Sequence, residues 1–177
     1  AAFGACMNQG QICMSTERII VLDAVADEFV KPAAPANDWQ SKWTINAAKA
    51  KYPGKPIKYL VLTHHHMDHT GGTRTFMAEG ATVIVPSPDK AYFEKVARMP
   101  HTVAPDELAK KRRAAVKVQE VKDQLSLKDD SEEIRLYNIT NPHVDGMIIG
   151  HLVKPNIVYV TDILSPRGPI ERNPGTL

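Results

Sequence analysis

The sequence predicts an α/β (α+β) fold. Short apolar, β-prone segments alternate with segments whose apolar residues recur at helical spacing, which is typical of a mixed domain of sheets and helices. One predicted strand, Ile57–Leu62, ends directly before a polar cluster, Thr63–Gly72. α/β folds usually carry their chemistry at such strand ends. A chain of 177 residues with ordinary apolar and charged fractions can bury one core.

The first 36 residues are predicted to form a segment of their own, ending in a linker. A strand is expected at 18–22, followed by a helix that Asp23 caps. Two prolines in the small-residue run 31–36 break both helix and strand. We therefore place a boundary after residue 36 and assign residues 37–177 to a second unit, which carries the polar cluster.

Helices and strands alternate through residues 37–177. A first helix, with Asn37 or Asp38 as its N-cap, is expected to end at Tyr52-Pro53-Gly54 and to carry on its apolar face Trp39, Trp43, Ala47 and Ala50. Further helices are predicted at 73–77, from Pro88 to Met99, and from Pro105 to about Val116. Strands are predicted at 57–62, 81–85, 116–121, 134–139, 147–153 and 156–160, with an acidic turn at 128–133.

Four residues of the polar cluster form a metal-ligand pattern: His64, His66, Asp68 and His69. Side chains two apart in an extended segment point to the same side, so the first two histidines can share one ligand position. Asp68 and His69 follow after a turn and can face a second position beside the first, while paired glycines let the chain turn closely under the site. Neutral imidazole and ionised carboxylate are natural ligands of divalent metals. The pattern therefore favours a metal site over a chance polar loop.

Four further side chains are not predicted to be ligands. His65 and Met67 alternate away from the ligand side of the cluster. His101 lies in a loop between two predicted helices and is interpreted as a surface histidine. His151 alternates inside a predicted strand and is left out of the site.

The motif H-x-H-x-D-H, between an apolar strand and Gly-Gly, resembles the signature of the metallo-β-lactamase-fold hydrolases over roughly residues 38–165. The resemblance implies an αββα sandwich and one or two zinc ions, other divalent metals remaining open. It also implies six ligands: His64, His66 and His143 at a first metal, Asp68 and His69 at a second, and Asp162 bridging the two. A turn cap is the alternative for Asp162, and a loop histidine is the alternative for His143.

Two departures from that family pattern are expected to weaken the site. No histidine follows Asp162, so the family's last ligand is absent, and the strands that normally flank the sandwich are missing. We therefore expect a partial sandwich, a second metal that binds more weakly, and either a single ion or completion by another chain. Unpaired sheet edges favour association, so a homo-oligomer that completes the fold is a further expectation.

The N-terminal string G-Q-I-C, followed by R-I-I-V and D-E-F-V, resembles the catalytic-cysteine segment of aldehyde dehydrogenases over residues 1–33. The resemblance implies that Cys13 matches the thiolate that attacks the aldehyde carbon. On chemistry alone, a small buried or bystander thiol is the alternative. A thiolate without a hydride acceptor cannot oxidise an aldehyde, and nothing later in the chain supplies a nucleotide-binding domain. We therefore expect Cys13 to be a relic and the chain to be a chimera.

The predicted function is a zinc-dependent hydrolase that acts on a small-molecule substrate through a metal-activated water, with Asp68 orienting that water. Ester, lactone, amide, thioester and phosphoester bonds all stay open. Two alternatives also stay open: a zinc-binding chimeric fragment with little or no turnover, and a dehydrogenase-derived protein that uses Cys13.

Composition limits the partners and the location that we expect. A formal net charge of +2 and one short basic run at 110–113 give no argument for nucleic acid. No apolar run is long enough to cross a bilayer, so no membrane is expected. Two cysteines are too few for a disulfide framework, and a cytoplasmic, reduced location is the default expectation.

Overall fold

Seven strands in two sheets form the frame of the protein, in a computed structural model that describes residues 37–111 and 115–163. Helices and a 3-10 turn precede and separate the first three strands, and the last four strands follow one another. This mixed arrangement confirms the predicted α/β (α+β) class. In chain order the elements are α1 Asp38–Lys51, β1 Tyr59–Val61, α2 Met67–Thr70, α3 Thr73–Glu79, β2 Thr82–Pro86, the turn Ser87–Asp89, α4 Lys90–Arg98, α5 Glu107–Lys110, β3 Val118–Val121, β4 Gln124–Lys128, β5 Glu133–Ile139, β6 Met147–Leu152 and β7 Ile157–Tyr159.

The first sheet is parallel and has the order β1-β2-β3. Its central strand, β2, pairs Val83 with Leu60 of β1 on one side and with Val118 of β3 on the other. The sequence of β2 is Thr-Val-Ile-Val-Pro, and its last four residues are buried. Such a continuously apolar sequence is typical of a strand that is covered on both faces. The carboxyl ends of these strands therefore lie along one edge of the sheet.

The second sheet is antiparallel, with the order β4-β5-β6-β7. It contains one strand, β4, that the sequence analysis placed in no element. Leu125 and Leu127 alternate with polar residues in β4, and Leu127 pairs with Ile134 of β5 across the turn 129–132. The acidic turn was predicted, but the short strand before it was too polar to stand out from a loop.

Apolar side chains on the two faces of β2 separate two cores and give the fold its layers. Val83 and Val85 face the helices, where they join Phe76 of α3 and Phe93 of α4. Ile84 faces the antiparallel sheet and packs in a second cluster with Val121, Leu127, Ile134, Leu136, Ile148 and Leu152. The described residues thus form a helix layer, a parallel sheet and an antiparallel sheet.

Helix α1 turns a different face to the core than the sequence analysis predicted. Asn37 is the N-cap, as expected, and its side chain accepts a hydrogen bond from the backbone N–H of Gln40 at 3.0 Å. Trp39 and Trp43, however, are 74% and 45% exposed, and the buried residues are Ser41, Thr44, Ile45 and Ala48. The Ser41 hydroxyl donates to the carbonyl oxygen of Gly72 at 3.1 Å. Small side chains allow this close approach of α1 to the start of α3, and the two indoles are left outside.

Helix α5 is shorter than the predicted helix from Pro105 to Val116. Asp106 is its N-cap and accepts a hydrogen bond from the backbone N–H of Ala109 at 2.8 Å. The helix ends at Lys110, and residues 115–117 precede β3 without regular structure. The Asp106 cap therefore begins the helix at Glu107, two residues after the predicted start at Pro105, and residues 115–116 of its predicted last turn have no regular structure.

A buried ion pair connects α3 to α5. Arg74 donates from Nε and Nη2 to the two carboxylate oxygens of Asp106, and the two side chains are only 7% and 6% exposed. Its Nη1 donates to the carbonyl oxygens of Val96 and Ala97. Arg74 thereby joins the three helices α3, α4 and α5. None of the helices among the described residues is long and apolar enough to span a membrane.

Candidate metal centre

The polar cluster lies where the two sheets meet. The segment 63–66 follows β1 and leads into α2 without regular structure. The backbone N–H of Ile148, in β6, donates to the carbonyl oxygen of Thr63 at 2.8 Å, and the hydroxyls of Thr161 and Thr63 are 3.4 Å apart. These contacts bring the end of a parallel strand, the start of β6, and the segment after β7 to one place.

Three imidazoles from two of these segments form one group. Nitrogen atoms of His64, His66 and His143 all lie within 4.8 Å of one another. The rings stand edge to face, with centroids 4.6 Å apart for His64 and His66 and 4.7 Å apart for His66 and His143. Three histidine nitrogens that converge in this way can hold one metal ion and leave a coordination position open.

A second group comprises His64, His69 and Asp162, whose ligand atoms also lie within 4.8 Å of one another. Oδ2 of Asp162 is 3.2 Å from His64 Nε2 and 3.1 Å from His69 Nε2. It is 3.5 Å from Nε2 of His143, which belongs to the first group. The Asp162 side chain is only 9% exposed although its backbone lies at the surface. One carboxylate oxygen therefore faces both groups.

Backbone geometry at Asp162 brings that carboxylate inward. Asp162 has φ +59°, and the N–H of Ile163 donates to the carbonyl oxygen of Thr161 across it. Few residues other than glycine adopt a positive φ, and aspartate is among those that do so most readily. Such conformations persist where the surrounding structure imposes them, and they cluster at functional sites.

Two buried polar atoms in the cluster have no hydrogen-bond partner among the described residues. They are Nε2 of His64 and Oδ2 of Asp68. His64 Nε2 faces Asp162, and Asp68 Oδ2 is 3.2 Å from Nε2 of His69, but the buried atoms themselves remain unsatisfied. Leaving such atoms unpaired costs about 1–3 kcal/mol each, and more for charged groups. A divalent cation satisfies nitrogen and carboxylate donors together, so this donor set fits a metal.

The electrostatic environment keeps the central histidines neutral. Burial, followed by repulsion from His69, lowers the pKa of His64 to about 3. Burial and the nearby His143 also lower the pKa of His66. A neutral imidazole presents a free lone pair, and a metal need not displace a proton from it near neutral pH.

Asp162 is held in its ionised form. Burial alone would raise its pKa, but the hydrogen bond and charge of His69, together with His64 and His143, lower the pKa overall. An ionised carboxylate beside neutral imidazoles is the chemical form in which both residue types bind divalent metals.

Two residues of the β5–β6 loop place His143. Oδ1 of Asn141 accepts hydrogen bonds from the backbone N–H groups of His143 and Val144, at 2.9 and 3.0 Å. Gly146 closes the loop with φ +93°, and a Cβ atom there would meet Asn138, Pro86 and Pro88 at 3.2–3.3 Å. Glycine is therefore required by both conformation and space.

All six predicted ligands lie together where the two sheets meet: five are in the two groups, and Asp68 contacts His69. Their role as ligands stays a prediction. The structure places His64 in both groups, whereas the sequence interpretation assigned it to the first position alone. Asp68 lies at the edge of the second group, against His69. Cys13 falls outside the described residues.

The four excluded side chains all have positions outside the two groups. Met67 is 84% exposed, and His65 lies against Asp89. His101 contacts Asp106, and His151 contacts Asn156.

Thr63 and Asp89 contact histidines of the segment 63–66, and the sequence analysis predicted no role at the site for either residue. Thr63 Oγ1 is 3.1 Å from His64 Nδ1, and Asp89 Oδ1 is 3.1 Å from His65 Nδ1. The signal for Asp89 is its position just after a strand, which becomes informative only once β1 and β2 are known to pair. It follows the end of β2, the strand beside β1, and the carboxyl ends of neighbouring parallel strands share one sheet edge.

Comparison with known proteins shows the family of the chain. The family model of the metallo-beta-lactamase superfamily matches residues 15–176, and the chain belongs to that superfamily. The match begins before residue 37, the predicted boundary between two units, and that boundary stays a prediction. A solved metallo-beta-lactamase from Pontibacter korlensis is similar with a TM-score of 0.47 and 14% identity, over 66% of this chain and 46% of that one.

Parts of the chain are also similar to proteins described as vanillin dehydrogenases. The chain is 40% identical to a vanillin dehydrogenase of Pseudomonas fluorescens over 91 residues, which is 48% of this chain and 17% of that protein. It is 74% identical to a vanillin dehydrogenase of Pseudomonas sp. over 34 residues, 19% of this chain and 7% of that one. The chain thus spans less than a fifth of the length of the curated relatives it matches.

Proposed function

We propose that this protein is a metal-dependent hydrolase and that zinc is its metal. The observation that carries the proposal is the position of Asp162 Oδ2, which lies 3.1–3.5 Å from three imidazole nitrogens. Membership of the metallo-beta-lactamase superfamily supports the same reaction class. Histidine nitrogens and carboxylate oxygens are the ligands that catalytic zinc uses, with one position left for water or substrate.

His64, His66 and His143 would hold a first ion, and His69, Asp68 and Asp162 would contribute to a second position. When bound, zinc supplies a Lewis acid that polarises a substrate oxygen and makes a water acidic enough to lose its proton near neutral pH. Burial keeps the His64 ring neutral and restricts water on its side of the cluster.

Asp68 is assigned the role of orienting the attacking water. Its Oδ2 is buried and has no hydrogen bond among the described residues, so it can accept one from a water in the cluster. The side chain is 14% exposed, which leaves it within reach of solvent. A carboxylate at this place can take the proton that the water releases and pass it on to the leaving group.

The test joins metal content to turnover. Purified protein should contain zinc, and His66→Ala should lose most of it, whereas the matched control His151→Ala should not, because His151 lies outside both groups. Turnover is measured on ester, lactone, lactam, thioester and phosphodiester substrates, with and without a chelator. Wild-type metal content that survives His66→Ala unchanged would contradict the site assignment.

The same measurements separate the alternative functions. Bound zinc without turnover of any substrate class would identify a metal-binding protein and refute the hydrolase proposal. The similarity to vanillin dehydrogenases suggests one further assay, nicotinamide nucleotide binding, and we propose that this chain binds none. Light scattering tests the proposed homo-oligomer.

A further inference from the structure

We call the segment Thr63–His66 the metal loop. Of its three histidines, His65 is the one that belongs to neither ligand group. It lies between two proposed ligands, His64 and His66, but its Nδ1 is 3.1 Å from Oδ1 of Asp89. The ring is 43% exposed and stands edge to face with the ring of His66, with centroids 5.3 Å apart. Asp89 ends the short turn after β2, the central strand of the parallel sheet, and is 7% exposed.

The loop from Thr63 to His66 depends on such side-chain contacts for its shape. It has no helix or strand hydrogen bonds of its own between the end of β1 and α2. Ile148 fixes its start through the carbonyl oxygen of Thr63, at 2.8 Å. Thr70 fixes its end by donating to the carbonyl oxygen of His66, at 3.0 Å. In the middle, between the two proposed ligands, the Thr70 hydroxyl donates to the carbonyl oxygen of His65 at 3.4 Å, and the His65–Asp89 contact fixes the His65 side chain.

Burial of the Asp89 carboxylate is energetically unfavourable unless a partner compensates for it. Its Oδ2 atom is buried and lacks a hydrogen-bond partner among the described residues. Burial raises the pKa of this carboxyl, and His65 opposes that effect. An isolated buried carboxylate destabilises a fold, so the contact with His65 is the interaction that compensates for its presence.

We propose that Asp89 is a positioning residue that acts through His65 to hold His64 and His66 in their metal-binding orientation. This inference rests on the metal-binding part of the proposed function. Residues outside the ligand shell that orient metal ligands typically change metal affinity by about 10- to 100-fold. Because Asp89 acts through a residue that is not itself a ligand, we expect a loss of about tenfold, at the lower end of that range.

The experiment measures zinc affinity by competition with a chromophoric chelator. Asp89→Ala and His65→Ala should each bind zinc about tenfold more weakly, and the double variant should be no weaker than either, because both changes remove one contact. Asp89→Asn keeps an oxygen that can accept from His65 Nδ1–H and should stay near wild type. The matched control is Asp130→Ala, since Asp130 is exposed in the turn 129–132, at the opposite end of β5 from His143.

Absorption spectra of the cobalt-substituted proteins give a second readout. The two Ala variants should show altered cobalt bands, whereas Asp89→Asn should show the bands of the wild type. A general loss of stability would not produce this difference between the variants. His65→Ala keeps the test decisive if Asp89→Ala fails to fold, since the His65 ring is 43% exposed. Unchanged affinity in His65→Ala, or losses that add in the double variant, would overturn the inference while leaving the hydrolase proposal intact. A wild-type protein that binds no zinc would refute both.

Discussion

Arg74→Ala should destabilise the fold far more than the loss of an exposed ion pair does. Arg74 donates to both carboxylate oxygens of Asp106 and to the carbonyl oxygens of Val96 and Ala97. The two charged side chains are 7% and 6% exposed, so water cannot replace the lost guanidinium without rearrangement. The substitution leaves a buried carboxylate and two carbonyl groups with fewer partners.

The magnitude follows from burial. Removing one partner of a buried ion pair typically costs about 3–5 kcal/mol, because the remaining charge is uncompensated. An exposed pair is worth about 0–1 kcal/mol. Lys49–Glu79 provides the matched control, since its side chains are 51% and 29% exposed at 2.6 Å separation. Lys49→Ala should therefore change the free energy of unfolding by less than about 1 kcal/mol.

Urea denaturation of the metal-free protein measures both changes. Arg74→Lys should fall between wild type and Arg74→Ala, because an ammonium group cannot donate to both carboxylate oxygens in the same planar arrangement. Burial would raise the pKa of Asp106, but hydrogen bonds from Arg74 and Ala109, and the charge of Arg74, lower it below 3.8 overall. A lowered carboxyl pKa stabilises the fold fully above the unfolded value, and this contribution is lost as the pH falls through the folded pKa. The effect of Arg74→Ala should therefore shrink in acid.

One result would refute this reasoning directly. If Arg74→Ala and Lys49→Ala lowered the free energy of unfolding equally, burial would not be what makes the Arg74–Asp106 pair strong. A difference that did not diminish at low pH would show that the loss comes from packing of the arginine stem and not from its charge.

Three further predictions concern the helix layer, the β5–β6 loop and the buried histidine. Thr44→Val should leave stability unchanged or raise it by about 1 kcal/mol in urea denaturation, because the buried Thr44 hydroxyl has no hydrogen bond among the described residues. Ser41→Ala, which removes a buried hydroxyl that donates to the carbonyl oxygens of Asn37 and Gly72, should instead lower it by about 1 kcal/mol. Gly146→Ala should weaken zinc binding in the chelator competition, because its added methyl group displaces the loop that carries a ligand. Metal-free protein should lose stability as the pH falls from 6.5 towards 3, by up to about 1.4 kcal/mol per pH unit. The reason is that His64 takes up a proton in the unfolded chain over this range but stays neutral where it is buried in the fold. In urea denaturation, His64→Gln should therefore reduce the dependence of stability on pH.

Local patterns predicted the elements that carry the site. The apolar run before Thr63 is a strand, Asn37 caps the first helix, and the strand before Pro86 is the centre of the parallel sheet. Each of these depends on neighbours in the sequence: alternation or continuity of apolar residues, a capping side chain, or a proline. The spacing of His64, His66, Asp68 and His69 also indicated a metal site. His143 and Asp162 followed from the family resemblance and not from such patterns, because they lie far along the chain from the first four.

Features that depend on distant contacts could not be predicted. The two tryptophans of α1 have helical spacing, yet the face that packs is the one with small residues, because the Ser41 hydroxyl reaches the backbone of Gly72. The role of Asp89 depends on the pairing of β1 with β2, which brings its turn beside the metal loop. Neither fact can be read from the residues next to it in the sequence.

The location of the site also explains why metal binding and folding should be coupled. His64 and His66 follow a strand of the parallel sheet, whereas His143 lies between two strands of the antiparallel sheet. The hydrogen bond between Ile148 and Thr63 connects the two sheets. An unfolded chain keeps the histidines of the H-x-H-x-D-H motif close together but cannot supply His143 or Asp162 beside them. A metal that needs ligands from both sheets binds the folded chain more tightly, and this difference in affinity stabilises the packing of one sheet against the other.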